Sequence, residues 1–230
     1  MSGTIEPTPL IIEPGQFLTA DGLLARQIPT GTLLFRVFFT TRGPDGAVYF
    51  GGMDPAYRLN DPGIGATHPR APQPAKGALP DVGAFGVCYL GYSPDAAFVE
   101  VFFRRLPVRS VSWKDLSHRS IGSWTLARML TVLCLHGVGL QRAGVDGDVV
   151  SGADYRLPQV VARTYWRHPL RFDGIEYPTR HDTGERSLAL FDRAADAVPA
   201  SALSGLSDLD PVGPLVRAWE ARYHFEILTD

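Results

Sequence analysis

The 230-residue sequence predicts an α+β fold. Three observations carry that expectation. Runs rich in β-branched and aromatic residues, such as Thr32 to Thr40 and Ala84 to Tyr92, outnumber the helical segments. Strand-like and helix-like segments follow one another without the regular alternation that builds a parallel βαβ sheet. The composition, 45% hydrophobic against 20% charged, is that of a chain with a sizeable core. At this length about 70% of the extended-chain surface goes inside. We expect an irregular, Pro- and Gly-rich lead-in over residues 1–31 and one domain over residues 32–230.

Charge and composition exclude several functions. The net charge is −2, the pI is near 6.3, and no block of like charge occurs, so the chain has no electrostatic footprint for nucleic acid or an anionic membrane. The start, MSGTIEPTPLIIEPG, has no basic region followed by a long apolar run. No later segment reaches the roughly 18 apolar residues of a membrane span, and a cytoplasmic location is expected. The two cysteines, Cys88 and Cys134, sit in apolar runs and read as small hydrophobes. With no CxxC or HxxxH spacing, neither a disulfide nor a metal site is expected.

In chain order, Phe17 to Ala25 offers a short helix within the lead-in. Thr32 to Thr40 (TLLFRVFFT) is a buried strand interrupted by Arg36, whose charge must either be paired at the sheet rim or face a cleft. A GPDG turn precedes a second strand at Val48 to Gly52. From Met53 to Gly83 periodicity is lost in a Pro- and Gly-rich stretch, within which Tyr57 to Gly63 carries Arg58 and Asn60 beside a turn. The next strand alternates Phe85, Val87, Tyr89 and Gly91 with Gly86, Cys88, Leu90 and Tyr92 on its other face.

Ser93, Pro94 and Asp95 then supply an N-cap, a first helical position and a dipole-compatible charge. In the helix that follows, Ala97, Glu100 and Arg104 share one face. By spacing that face is either a solvated Glu100–Arg104 pair or a carboxylate presented to a site.

Trp113 to Ser117 reads as a turn or short helix, and Ser123 to His136 as a strand pair or a buried helix. Leu157 to Arg167 is an amphipathic helix ended by His168-Pro169. Phe172 to Pro178 and Ser187 to Phe191 are strands flanking a polar turn that leaves His181 exposed. Residues 192–212 form a connector, followed by a helix over residues 212–223 and a closing strand at His224 to Leu228. His136, at the end of an apolar run, reads as a satisfied core residue. The GxGxxG loop, P-loop, GxSxG elbow and HExxH motif are absent, which removes Rossmann oxidoreductases, P-loop NTPases, α/β-hydrolases and zincins.

Four segments taken in order resemble the RES domain family. These are the loop Tyr57-Arg58-Leu59-Asn60, the strand and helix of CYLGYSPDAAFVE, and the turn of DGIEYPTR. The resemblance implies an ADP-ribosyltransferase-like fold of mixed sheets with short flanking helices, over roughly residues 32–193. It implies an NAD-degrading toxin of a toxin–antitoxin system, either a glycohydrolase or a phosphorylase that uses phosphate. NAD would then be the substrate, with no separate cofactor and no metal, and a helix-turn-helix antitoxin the partner. Glu100 and Arg58 are the implied catalytic residues, and Arg58, Tyr89, Thr179 and Arg36 the NAD-binding ones. Two positions depart from the family pattern: Leu59 lacks the usual aromatic ring, and Thr179 replaces serine while keeping its hydroxyl. ADP-ribosyl transfer to a protein, or a catalytically silent binding module, are the alternative readings.

Overall fold

In the computed structural model, residues 22–42, 85–103, 110–152 and 156–229 are described. The first strand, β1 (Ala25–Ile28), is followed by β2 (Leu33–Phe39), β3 (Val87–Gly91), helix α1 (Pro94–Phe102) and β4 (Ser110–Ser112). Helix α2 (Trp113–Ser117), β5 (Arg119–Thr125) and β6 (Leu130–Cys134) come next, then α3 (Val138–Arg142), α4 (Asp148–Ser151) and α5 (Arg156–Trp166). The chain continues through β7 (Gly174–Thr179), β8 (Asp182–Phe191), β9 (Leu203–Asp208), α6 (Pro214–Tyr223) and β10 (Glu226–Leu228).

The strands form an eight-stranded sheet in the order β1-β6-β7-β8-β3-β2-β5-β9 and a two-stranded sheet of β10 with β4. The large sheet is mixed: β6 and β7 run parallel, while β7 with β8 and β8 with β3 are antiparallel. The fold class is α+β, as the non-alternating order of segments predicts. Among the described residues, no helix is long and apolar enough to cross a membrane.

Several sequence expectations change. Ala25–Ile28, assigned to the irregular lead-in, is an edge strand paired with β6 from Ala25↔Leu133 to Ile28↔Leu130. Only Ile28 of its four residues is buried, so it carries little apolar signal. Ser123 to His136 resolves as strands, but β5 pairs with β2 and β9 while β6 pairs with β1 and β7. Residues 192–212 hold 3-10 turns and the edge strand β9, whose exposed residues pair only with β5. The strand expected at Ser187–Phe191 begins earlier, at Asp182, because its polar first half lies at the rim. The proposed Phe17–Ala25 helix up to residue 21, the Val48–Gly52 strand, the Met53–Gly83 stretch and Arg104 lie outside the described residues.

Three apolar clusters fill the space around the sheet. One packs Phe85, Val87, Ile175 and Phe191 under Val161 and Tyr165 of α5. The second holds Cys88, Leu90, Leu188 and Leu190 on the opposite face, with Trp124 and Phe38. The predicted alternation of β3 is therefore realised. The third joins Phe98 of α1 to Trp219 of α6, Val37 and Ile121.

Helix α1 starts as the sequence dictates, with Ser93 in an extended conformation and its Oγ accepting from Ala96 N at 2.9 Å. Asp95 in its first turn pairs with Arg222 at 3.2 Å, and Arg222 also reaches Asp182 and Glu185, both at 3.1 Å. These pairs fasten the start of α1 and of β8 to α6. The tight passage from β3 into α1 depends on Gly91: a Cβ there would sit 2.7 Å from Ala97 N and 2.8 Å from Ala96 Cβ. Gly91→Ala is expected to cost ~1–3 kcal/mol, read as a lowered midpoint in urea unfolding, because backbone and not a flexible side chain must yield.

Candidate functional site

A cleft of about 250 Å³ opens where β2 and β3 part. These two strands pair only at Phe35↔Gly91, whereas β2 and β5 pair along seven positions. Residues Phe35 to Phe39 form one wall, Tyr89 to Gly91 another, and Ala97 to Val101 of α1 a third. The hairpin between β7 and β8 adds Thr179, Arg180 and His181, and Arg119 and Tyr177 complete the lining.

The structure brings together four of the five residues singled out in the sequence. Glu100 is partly buried on the cleft face of α1, with Oε1 shut off from solvent. Arg104, the other member of the i,i+4 pair that spacing allows, lies outside the described residues. Tyr89 is half-buried on β3, its ring on the same side of the strand as Val87. Arg36 points from β2 into the cleft and donates from Nη1 to Cys88 Sγ at 2.9 Å, so its charge sits beside a buried thiol. Burial pushes the Cys88 thiol upward, against the opposing pull of Arg36. Cys88 therefore stays a neutral dipole that holds the arginine in place. Thr179 is fully buried, and its hydroxyl shares a hydrogen bond with Ser187 Oγ at 3.0 Å. Arg58, with Leu59 and Asn60, lies outside the described residues.

Other residues at the cleft escaped the sequence reading. His181 is half-buried at the rim of the cleft instead of exposed. Arg119 lies over the ring of Phe39 at 4.1 Å, a cation–π contact that holds a second guanidinium at the cleft. Ser187, the partner of Thr179, is completely buried. The register sets Ser187 opposite Tyr177 and Thr179 opposite Asp182, so the two hydroxyls meet diagonally across the irregularity after Pro178, which nothing in their spacing shows. With Arg36, Arg119 and Arg180 against Glu100, the described lining carries more positive than negative charge and suits an anionic ligand.

Behind the cleft, Glu176 on β7 is buried completely among polar partners. Arg26 donates to both its oxygens at 3.1 and 2.9 Å, Tyr92 Oη donates to Oε2 at 2.7 Å, and His136 Nε2 lies 2.8 Å from Oε1. His136 is thus satisfied, as its position at the end of an apolar run suggests. Tyr92 directly follows β3 and precedes the cap of α1, so this carboxylate also fixes the approach to the helix that carries Glu100.

The donor atoms of Cys134, His136 and Glu176 come within 4.8 Å of one another, the spacing of a metal site. The arginine fork on both Glu176 oxygens competes with a cation there. Burial also pushes the Cys134 thiol up to about 11, away from the thiolate a metal needs. The set is better matched to a closed hydrogen-bonded cluster than to a metal.

Desolvation raises the Glu176 carboxyl, but the hydrogen bonds from Tyr92 and His136 and the charge of Arg26 outweigh it, and the net shift is downward. A carboxylate depressed in the folded state contributes stability that is complete above its ordinary value near 4.5 and is lost as pH falls through the lower folded value. Urea midpoints measured from about pH 6 down to about pH 3 should therefore fall more steeply in the wild type than in Glu176→Gln. Parallel curves would show that Glu176 is not linked to stability.

The sequence matches the RES domain over residues 34–217, and the chain belongs to the RES domain family. Among solved structures it is similar to a chain in the crystal structure of the M. tuberculosis MbcT–MbcA toxin–antitoxin complex. That match has a TM-score of 0.54 and 22% identity, covering 86% of this chain and 90% of that one. No curated protein matches the sequence significantly.

Proposed function

We propose that this chain is the toxin of a toxin–antitoxin pair and that it degrades NAD by cleaving the nicotinamide–ribose bond. The observation that carries this reading is Glu100, the one carboxylate among the described lining residues, half-buried in a cleft that also holds aromatic rings, aliphatic side chains and the guanidiniums of Arg36, Arg119 and Arg180. Membership of the RES family and the likeness to a toxin–antitoxin complex support it.

The bond between the ribose anomeric carbon and the nicotinamide nitrogen breaks with its electron pair passing to nitrogen, which neutralises the pyridinium. The sugar passes through an oxocarbenium-like state, as in glycoside cleavage. A carboxylate fixed in a water-poor cleft stabilises that developing charge more than water would. Glu100 takes this role. An oxygen of water or phosphate then bonds to the anomeric carbon; water gives up a proton, and the product is ADP-ribose or its 1-phosphate. Arg36 and Arg58 bind the pyrophosphate, since a guanidinium fork matches phosphate oxygens. Tyr89 packs on the cationic nicotinamide. Thr179, fully buried with its hydroxyl on Ser187, lies in the cleft wall on the side assigned to the carboxamide or a ribose hydroxyl. NAD is the substrate, and the chemistry asks for no further cofactor. The partner would be an antitoxin with a helix-turn-helix, and the site of action the cytoplasm.

The test is incubation of the pure protein with NAD, with and without phosphate. Release of nicotinamide is expected, and phosphate dependence separates phosphorolysis from hydrolysis. Absence of release in both conditions would overturn the reading. Label from NAD left on a protein would redirect it to ADP-ribosyl transfer.

A further inference from the structure

A second concavity lies where the C-terminal end of α5 meets the chain just past β8. It encloses about 280 Å³ and is lined by Trp166, Arg167, His168, Arg171 and Arg193, none of which lines the cleft. Three guanidiniums from two stretches of chain meet there beside an imidazole that is only 4% exposed. Such a gathering of like charge opposes folding unless something answers it.

Among the described residues, the neighbouring carboxylates Asp192 and Asp173 have partners of their own. Asp192 accepts from Trp166 Nε1 at 3.3 Å and from Gly86 N at 3.0 Å. Asp173 accepts from Arg128 Nη2 at 3.0 Å and from Thr131 N at 2.7 Å. Arg171 and Arg193 consequently form no ion pair among the described residues. Arg193 donates from Nη2 to the Trp166 carbonyl at the end of α5, yet its buried Nε has no partner. Burial, and then the charge of Arg171, hold the Arg193 guanidinium below its ordinary range. Arg171 adopts φ 49°, a left-handed conformation that glycine takes without strain and arginine does not.

A helix C-terminus attracts cations by its dipole. That accounts for the contact of Arg193 with Trp166 O, but not for the guanidinium of Arg171. The shape of the site limits the ligand. The Trp166 ring stacks on Phe85 at 5.1 Å and lies under Arg193 at 4.9 Å, which leaves no free face for a nucleobase. More than one planar fork at a single pocket matches a tetrahedral anion with several oxygens better than a planar carboxylate, which one fork satisfies.

We propose that this pocket binds a phosphate dianion, either free or as the terminal group of a small phosphomonoester, held by Arg171 and Arg193 with Arg167 beside them. The site is independent of the NAD-cleaving reading of the cleft.

Calorimetric titration with inorganic phosphate and with glycerol phosphate, at constant ionic strength in chloride, tests the proposal. Both probes should bind the wild type, and the tighter of the two identifies the free ion or the ester as the ligand. Arg171→Gly removes one guanidinium while suiting the positive φ. It should stay folded, with an unchanged or raised melting temperature, and bind about 10-fold more weakly. Arg193→Gln should weaken binding by a similar factor. Binding should persist in Arg180→Gln, which separates this site from any phosphate held in the cleft. No binding to the wild type, undiminished affinity in Arg171→Gly, binding lost with Arg180→Gln, or binding of an oligonucleotide but neither small probe would each overturn it.

Discussion

Replacing Glu100 by glutamine is expected to slow nicotinamide release from NAD at least ~100-fold, about 2.7 kcal/mol of transition-state stabilisation. The substitution keeps the size of the side chain and removes only its charge. Glu100 sits near the end of α1 with Oε1 shielded from water, in a cleft whose other described charges are arginines. Those arginines favour an anionic substrate, but they cannot stabilise a sugar that becomes positive; only the carboxylate can. The loss should therefore fall on kcat with little change in KM, because the charge it answers exists only in the transition state. Steady-state assay of nicotinamide, with a thermal melt to confirm folding, measures both. Near-normal turnover would remove Glu100 from the role.

Phe98→Ala is expected to cost ~3–5 kcal/mol in urea unfolding. Phe98 is fully buried, stacks on Trp219 at 4.3 Å, and lies within 5.5 Å, ring to ring, of Phe102, Phe103 and Phe225. Truncation leaves a void among rings from α1, α6 and the segment before β10, and aromatic surfaces close such a void poorly. Phe98 also precedes Glu100 by two positions on one short helix, so loosened packing should lower NAD turnover as well as stability. Phe98→Leu should recover much of both. A loss below about 1 kcal/mol for the alanine variant would show that α1 is held by its Ser93 cap and Arg222 pairs instead.

The local signals in the sequence proved sound wherever a short stretch determines its own structure. Ser93-Pro94-Asp95 announces the start of α1 because a cap, a fixed φ and a dipole-matched charge all act within one turn. The alternation in β3 announces two buried faces. The position of Glu100 at the cleft, by contrast, could not be read from spacing, which suits a solvated i,i+4 pair equally well. It followed only from the resemblance of separate segments. Ser187 beneath Thr179, the Arg26–Glu176–Tyr92 cluster and the guanidiniums of Arg119 and Arg193 stayed hidden for one physical reason. Each depends on strand register or on a turn between distant stretches, and a single polar residue carries no trace of the partner it will meet. Edge strands β1 and β9 were missed because an edge needs few buried side chains.

Strand β8 pairs on one side with β7, which carries Thr179, and on the other with β3, which carries Tyr89 and leads into the helix of Glu100. It is thus the bridge between the two halves of the cleft, and it comes late in the chain. A polypeptide emerging from the ribosome at roughly 5–20 residues per second makes Arg36, Tyr89 and Glu100 well before it makes the strand that aligns them with Thr179. Until translation has passed Phe191, the nascent chain holds the parts of the cleft without their arrangement.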